Sequence, residues 1–345
     1  MSRILTYAQA LQEATEQEME RDDSVIVMGI GVDDFKGTWG TTRDLHLKFG
    51  RERAFDTPLA EDAMTGVAIG AALAGLRPIH VHIRMDFLML AMNQLINIAA
   101  KSRYMYGGAV RVPLVVRAVI GRSWGQGAQH SQGLHSYFCH VPGLKVAAPS
   151  TPYDAKGLLI ESIRDDDPVM FVEHRMIHFQ KGHVPESLYT VPFGKARLLA
   201  KGTDVTLVGI SYMAVECQRA QSYLADVGIS AEVVDPVSLA PLDMETILES
   251  ASRTRRLIVV DTGWTSCGVS AEIVARVAEE TSSSVHVRRM GYAPVTCPTA
   301  RNLEDLYYPN PAAIASAAYA MVNEGAAWTP PHKDSPEIVQ FKGPF

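Results

Sequence analysis

The chain has 345 residues, 47% of them hydrophobic and 20% charged, enough for a sizeable core and two domains at about 100–200 residues each. Its 32 basic and 38 acidic side chains give a formal net charge of −6, which excludes the basic surplus of a dedicated nucleic-acid binder. Four cysteines, at 139, 217, 267 and 297, form no Cys-x-x-Cys pair and read as reduced, scattered thiols of a cytoplasmic protein.

Met1 to Gln9 lacks the apolar core of a targeting segment. A helix is expected over Ala8–Glu20 and a strand over Ser24–Gly29. A second helix, Asp62–Leu76, covers the longest apolar stretch, which starts at Ala63 and falls short of the roughly 20 residues a membrane span needs. Neither nucleic acid nor membrane is therefore expected as a partner. Strands follow at Ile79–Ile83, Val112–Val116, Lys145–Ala148 and Val169–Val172, with helices at Phe87–Tyr104 and Pro152–Asp165. Ser150-Thr151-Pro152 supplies a cap and a first-turn proline for the last helix.

After a less regular passage, Arg175 to Lys195, the same alternation resumes. Strands are expected at Asp204–Ile210, Ser230–Asp235, Arg256–Asp261 and Ser284–Arg288. Helices are expected at Met213–Val227, Asp243–Arg253, Val269–Glu280 and Pro311–Val322. Short apolar runs alternating with helices indicate an α/β chain with two open parallel sheets, divided here as 1–195 and 196–345. Ligands of such sheets sit at their ends.

Several familiar chemistries are missing. The sequence has no Gly-x-x-x-x-Gly-Lys-Ser/Thr loop and no Gly-x-Ser-x-Gly elbow, and Gly29-Ile30-Gly31 lacks the third glycine of a dinucleotide fingerprint. Alternation along a strand sets His80, His82 and Arg84 on one face. Two histidines could share a metal but have no evident third ligand. The three together could instead line a pocket for an anionic substrate. Gln129-His130-Ser131-Gln132 lies in a glycine-rich loop between two expected strands, where catalytic groups are often presented. Glu61 lies just before the second helix, so it reads either as a helix-entry carboxylate or as a functional acid.

In order, these segments resemble one family. Asp56-Thr57-Pro58-Leu59-Ala60-Glu61, Gly66-Val67-Ala68-Ile69-Gly70 and Gly75-Leu76-Arg77-Pro78 carry the likeness first. Gln129–Gln132, Pro142-Gly143-Leu144-Lys145-Val146, Pro241-Leu242-Asp243 and the closing Phe341-Lys342-Gly343-Pro344-Phe345 continue it. They resemble β subunits of the first component of thiamine-diphosphate-dependent 2-oxo acid dehydrogenases, the pyruvate, branched-chain and acetoin enzymes of the transketolase superfamily. The resemblance implies a pyrimidine-binding domain followed by a transketolase C-terminal-like domain. It also implies an α2β2 assembly whose α subunit holds Mg2+ and the diphosphate, with a lipoyl acyltransferase as acceptor. By position, Glu61 would hydrogen-bond the cofactor's pyrimidine ring, with Leu59 and Phe87 packed against it, and His130 would stand near the substrate carbonyl. His82, Arg84, Trp124 and Gln129 would border the substrate. Some relatives bind K+ through backbone carbonyls, which here fall at Leu114, Ser162, Asp165 and Asp167.

The chain departs from the family pattern at Ile30, where relatives carry glutamate, at Trp264, and over His80–Arg84. Two other readings stay open: a split transketolase-like carboligase subunit acting on a phosphorylated or acidic sugar, and a non-catalytic structural β-like partner.

Overall fold

The computed structural model describes residues 3–34, 36–121, 125–331 and 336–340. They form two compact units, Met1–Ile120 with Tyr137–Phe193, and Gly121–Ser136 with Gly194–Phe345.

In the first unit α1 (Tyr7–Arg21) follows a short strand, Ile4–Thr6, that pairs antiparallel with Lys181–His183. Thr6 Oγ1 accepts from the Gln9 amide at 3.1 Å and Gln9 Oε1 accepts from the Thr6 amide at 2.9 Å, a reciprocal cap that fixes where the helix begins. Six strands follow: β1 (Val25–Gly29), β2 (Ala54–Asp56), β3 (Arg77–His82), β4 (Val115–Ile120), β5 (Lys145–Ala147) and β6 (Val169–His174). They pair in parallel in the order β5-β6-β4-β3-β1-β2. Every residue of β1, β4 and β6 is buried, because helices cover both faces of such a sheet.

Helix α2 (Glu61–Leu73) crosses from β2 to β3, and α3 (Pro152–Arg164) from β5 to β6. Thr151 caps α3 as its sequence suggests, accepting from the Asp154 amide at 3.1 Å, with Pro152 in the first turn. Gly29 runs so close to β3 that a Cβ there would collide with the Val81 carbonyl.

Two expected elements differ. β4 starts at Val115 rather than Val112, because Pro113 offers no amide hydrogen and Leu114 donates back to the Val112 carbonyl at 2.8 Å. The helix expected over Phe87–Tyr104 is broken into Met85–Leu88, a 3-10 turn, a π-helical stretch Gln94–Ala99, and Ala100–Met105.

In the second unit β7 (Arg197–Ala200), β8 (Val205–Gly209), β9 (Ala231–Asp235), β10 (Arg256–Trp264) and β11 (His286–Tyr292) stand in the order β11-β10-β8-β9-β7. All pairs are parallel except β7 with β9. Helices α4 (Tyr212–Ala225), α5 (Met244–Thr254), α6 (Val269–Glu280) and α7 (Pro311–Val322) alternate with them, matching the expected α/β grammar. No helix among the described residues is long and apolar enough to cross a membrane.

The membership of Gly121–Ser136 in the second unit is not visible in a linear division at 195. Close backbone approach explains it: a Cβ on Gly133 would collide with the Thr262 carbonyl, and one on Gly127 would stand 2.7 Å from Thr299 Oγ1.

Candidate active site

Within the first unit, Glu61 is the first residue of α2, whose cap position Ala60 supplies no side-chain hydrogen bond. The free amides of that turn favour a carboxylate there. Glu61 is half-buried, and its carboxylate makes no hydrogen bond or ion pair among the described residues. Leu59, just before it, is 78% exposed. The short helix bearing Phe87, which is 39% exposed, packs against α2. An unengaged acid with bare apolar surface on the same elements suits the edge and face of a heteroaromatic ring, so these residues fit a pyrimidine.

The strand face behind this surface does not form the expected open pocket. His80 and His82 do share a face of β3, but they are 1% and 2% exposed and their rings meet edge to face at 4.2 Å. Among the described residues none of their four ring nitrogens makes a well-formed hydrogen bond, although the Met28 backbone lies within reach of His80. Burial pushes His80 down to about 4 and holds His82 well below its ordinary value, so both are neutral at pH 7.

Arg84 leaves that face because β3 ends at His82 and alternation stops there. Its guanidinium lies 5.9 Å from the centre of the Trp39 ring, and that of Arg175 lies 4.7 Å from the same ring. Both arginines are buried; desolvation, with the charge of Arg84, pushes Arg175 down to about 9. Trp39 and Arg175 carried no signal in the sequence, since neither sits in a periodic or motif-like stretch.

The potassium positions gather around the end of α3 and the start of β4. Three of the four carbonyls already accept a protein donor: Leu114 from the Val169 amide (2.9 Å), Ser162 from the Asp165 amide (3.3 Å) and Asp165 from Arg77 (3.0 Å). The carboxylates of Asp165, Asp166 and Asp167 are matched by Lys145, by Arg77 with Arg111, and by Arg103. The protein's own cations thus balance the carboxylates of this loop.

In the second unit, Gln129 is exposed and His130 half-buried, on the turn closing the short 3-10 segment Gly127–Gln129. Trp124 lies outside the described residues. A feature unforeseen in the sequence stands five residues beyond His130. His135 Nε2 meets Asp261 Oδ1 at 2.9 Å, and neither side chain has any exposed surface. Near it Thr262 Oγ1 and Tyr292 Oη are 3.0 Å apart, in a buried cluster with Tyr307, Tyr308 and Cys297.

Comparison with known proteins accords with this architecture. The transketolase pyrimidine-binding domain family matches residues 4–178, and the transketolase C-terminal domain family matches residues 194–314. The chain is 44% identical over 339 residues to the acetoin:2,6-dichlorophenolindophenol oxidoreductase β subunit of Cupriavidus necator, covering 94% of this chain and 99% of that one. It is 39% identical to the corresponding subunit of Bacillus subtilis, over 94% and 99%. It is 40% identical to the pyruvate dehydrogenase E1 component β subunit of Porphyra purpurea, over 95% and 100%. Among solved structures, a split-gene transketolase described as an inactive β4 tetramer superposes with a TM-score of 0.75 at 20% identity, over 93% of this chain and 99% of that one. That last likeness is one of fold.

Proposed function

The chain belongs to the β subunits of the thiamine-diphosphate-dependent 2-oxo acid dehydrogenases, and on that footing we propose that, with an α subunit in an α2β2 assembly, it decarboxylates a 2-oxo acid and passes the acyl group to the lipoyl domain of an acyltransferase. The observation that carries the reading is the Glu61 carboxylate, unengaged at the start of α2 beside the exposed side chain of Leu59. An acid left open on one chain gains a purpose when a second chain and a cofactor close over it. The exposed apolar residues Val67, Leu90, Ile98 and Tyr104 support a partner surface on the same unit.

Bound thiamine diphosphate would supply the means of stabilising a carbanion at the former carbonyl carbon. Glu61 would hold and return a proton at the pyrimidine ring nitrogen. Leu59 and Phe87 would cover the ring and keep water from it. His130, with Gln129 beside it, would donate to the substrate carbonyl oxygen as charge grows there. His82 and Arg84, buried within the first unit, would act on substrate only indirectly. Magnesium would belong to the α subunit; among the described residues of this chain, no three His, Cys, Asp or Glu side chains gather as ligands. A potassium ion would have to share carbonyls that Arg77 and backbone amides already engage. The pyrimidine-binding role falls to residues 1–195, and the complex would work in the cytoplasm.

A second substrate reading has its own support, because two of the relatives are named for acetoin and an artificial dye. A 2-hydroxy ketone offers the same bond, carbon to carbonyl carbon, for cleavage. The decisive experiment is co-purification with the α chain and assay of dye reduction with pyruvate, branched 2-oxo acids or acetoin, with and without thiamine diphosphate. Coenzyme-dependent reduction with any of these is expected. Turnover only of ketol-donor sugars would replace the reading with the carboligase, and no coenzyme binding by the complex would reduce the chain to a structural partner.

A further inference from the structure

We propose that His135 and Asp261 form a positioning pair that clamps the loop carrying Gln129 and His130 onto β10, an inference that rests on the reading of His130 as a group acting at the substrate carbonyl. The two residues are 126 positions apart and meet at 2.9 Å with no exposed surface on either. A carboxylate oxygen accepts, so the shared hydrogen is on Nε2 of His135.

The strand is shaped for this contact. Pairing of β10 with β11 loses register between Val260 and Trp264, so Asp261, Thr262 and Gly263 lie in an irregular stretch that re-aims side chains. A Cβ on Gly268, the cap of α6, would stand 3.3 Å from Asp261 Oδ2. The second carboxylate oxygen accepts no hydrogen bond among the described residues but lies close to the cap of a 12-residue helix, where the dipole favours negative charge. From the loop side, Gly133 presses against the Thr262 carbonyl, and a Cβ on Gly263 would lie 3.2 Å from the His135 ring.

Loop and strand thus touch through backbone at Gly133 and through one polar pair at His135, with His130 held between that anchor and Gly127. Without the pair, the backbone contact at Gly133 and the Gly125 amide's bond to Glu304 Oε1 at 3.3 Å remain, but the His135 end of the loop loses its side-chain anchor on β10. Removing one member also strands a buried polar group, so loosening should begin at this point.

The test uses the full chain co-purified with its α subunit, comparing parent, His135→Ala, Asp261→Leu and His135→Gln. Hydrogen exchange of the peptide spanning residues 125–136 is expected to quicken at least tenfold in His135→Ala. In His135→Gln, whose amide can still donate to Asp261, it should return toward the parent rate. Dye-coupled kcat should fall at least tenfold in His135→Ala, with half-saturation by thiamine diphosphate unchanged and partial recovery in His135→Gln. Should His135→Ala fail to fold, Asp261→Leu keeps nearly the same shape without the acceptor and supplies the same comparison. Unchanged loop exchange in both variants would overturn the clamp whatever the activity. Faster exchange with unchanged kcat would overturn its role in positioning. A parent complex that turns over neither 2-oxo acid nor acetoin would count against the proposed function alone, because the exchange result still decides the clamp.

Discussion

Arg117 on β4 and Glu173 on β6 form a bidentate pair in the core of the first unit, Nε to Oε1 at 2.6 Å and Nη2 to Oε2 at 3.0 Å. His178 adds a third contact to Oε2 at 3.3 Å. Burial pushes the Glu173 carboxyl up, but the charge of Arg117 and the hydrogen bonds from His178 and Arg117 outweigh it and hold the group down at about 2. Its ordinary value is 4.5, so its stabilising contribution is complete above that pH and is lost as pH falls through about 2. Glu173→Gln is expected to cost about 3–5 kcal/mol by leaving a buried guanidinium unpaired. The double variant Arg117→Met, Glu173→Leu should be less destabilised than either single change. Urea denaturation at pH 7 measures both; equal losses in the two cases would mean the pair is not a unit.

The His80–His82 pair predicts acid sensitivity in a milder range. Both imidazoles are neutral when folded, and His80 is displaced from 6.5 to about 4. A lowered folded-state value means the unfolded chain takes up the proton first. Stability is therefore full above pH 6.5 and declines as pH falls toward 4, by roughly 3 kcal/mol for His80 alone. Replacing both with leucine should flatten the melting temperature across this range. An unchanged pH slope would assign the effect to other groups.

Glu61→Gln tests the proposed acid. The substitution should lower coenzyme-dependent turnover of the assembled enzyme by roughly 10²–10⁴-fold. The melting temperature should stay the same, because Glu61 makes no hydrogen bond or ion pair within the described chain. A large melting shift with retained turnover would show that the residue is only a helix-entry carboxylate.

Lys156 is the counterpart inside the fold. Its buried Nζ is held by Glu13 at 2.6 Å and by the carbonyls of Pro185, Glu186 and Ser187 at 2.8, 3.2 and 3.2 Å. Lys156→Met would remove a donor shared by three carbonyls, leaving Pro185 to Arg3 and Glu186 to Gln17, while Glu13 keeps its bond to Arg3. A loss of about 2–4 kcal/mol is expected, together with faster proteolysis near residues 185–187. Limited digestion followed by mass spectrometry would detect it, and an unaltered cleavage pattern would refute it.

Caps and periodicity made much of the framework legible in advance. Thr151-Pro152 marked the start of α3, and the pattern over Val269–Glu280 and Pro311–Val322 gave α6 and α7 with the boundaries observed. Such signals are local, decided within one or two helical turns. Pro113 shows the limit even at that scale: its missing amide hydrogen displaced β4 from a run of residues that looked equally suited to a strand.

The sequence by itself determined the two α/β units, the family, and the presence of Glu61 at a helix start and His130 in a glycine-rich loop. Only the tertiary structure decided what surrounds them. It buried His80 and His82 against each other, turned Arg84 toward Trp39 with Arg175, and joined His135 to Asp261 across 126 positions. Strand alternation states which side of a sheet a residue takes, but whether that side meets water, a ring or a carboxylate depends on segments far away in the chain. The ordering of Gly121–Ser136 with the second unit has the same origin. It depends on backbone approach at Gly133 and Gly127, where the absence of a side chain matters only because of what lies opposite.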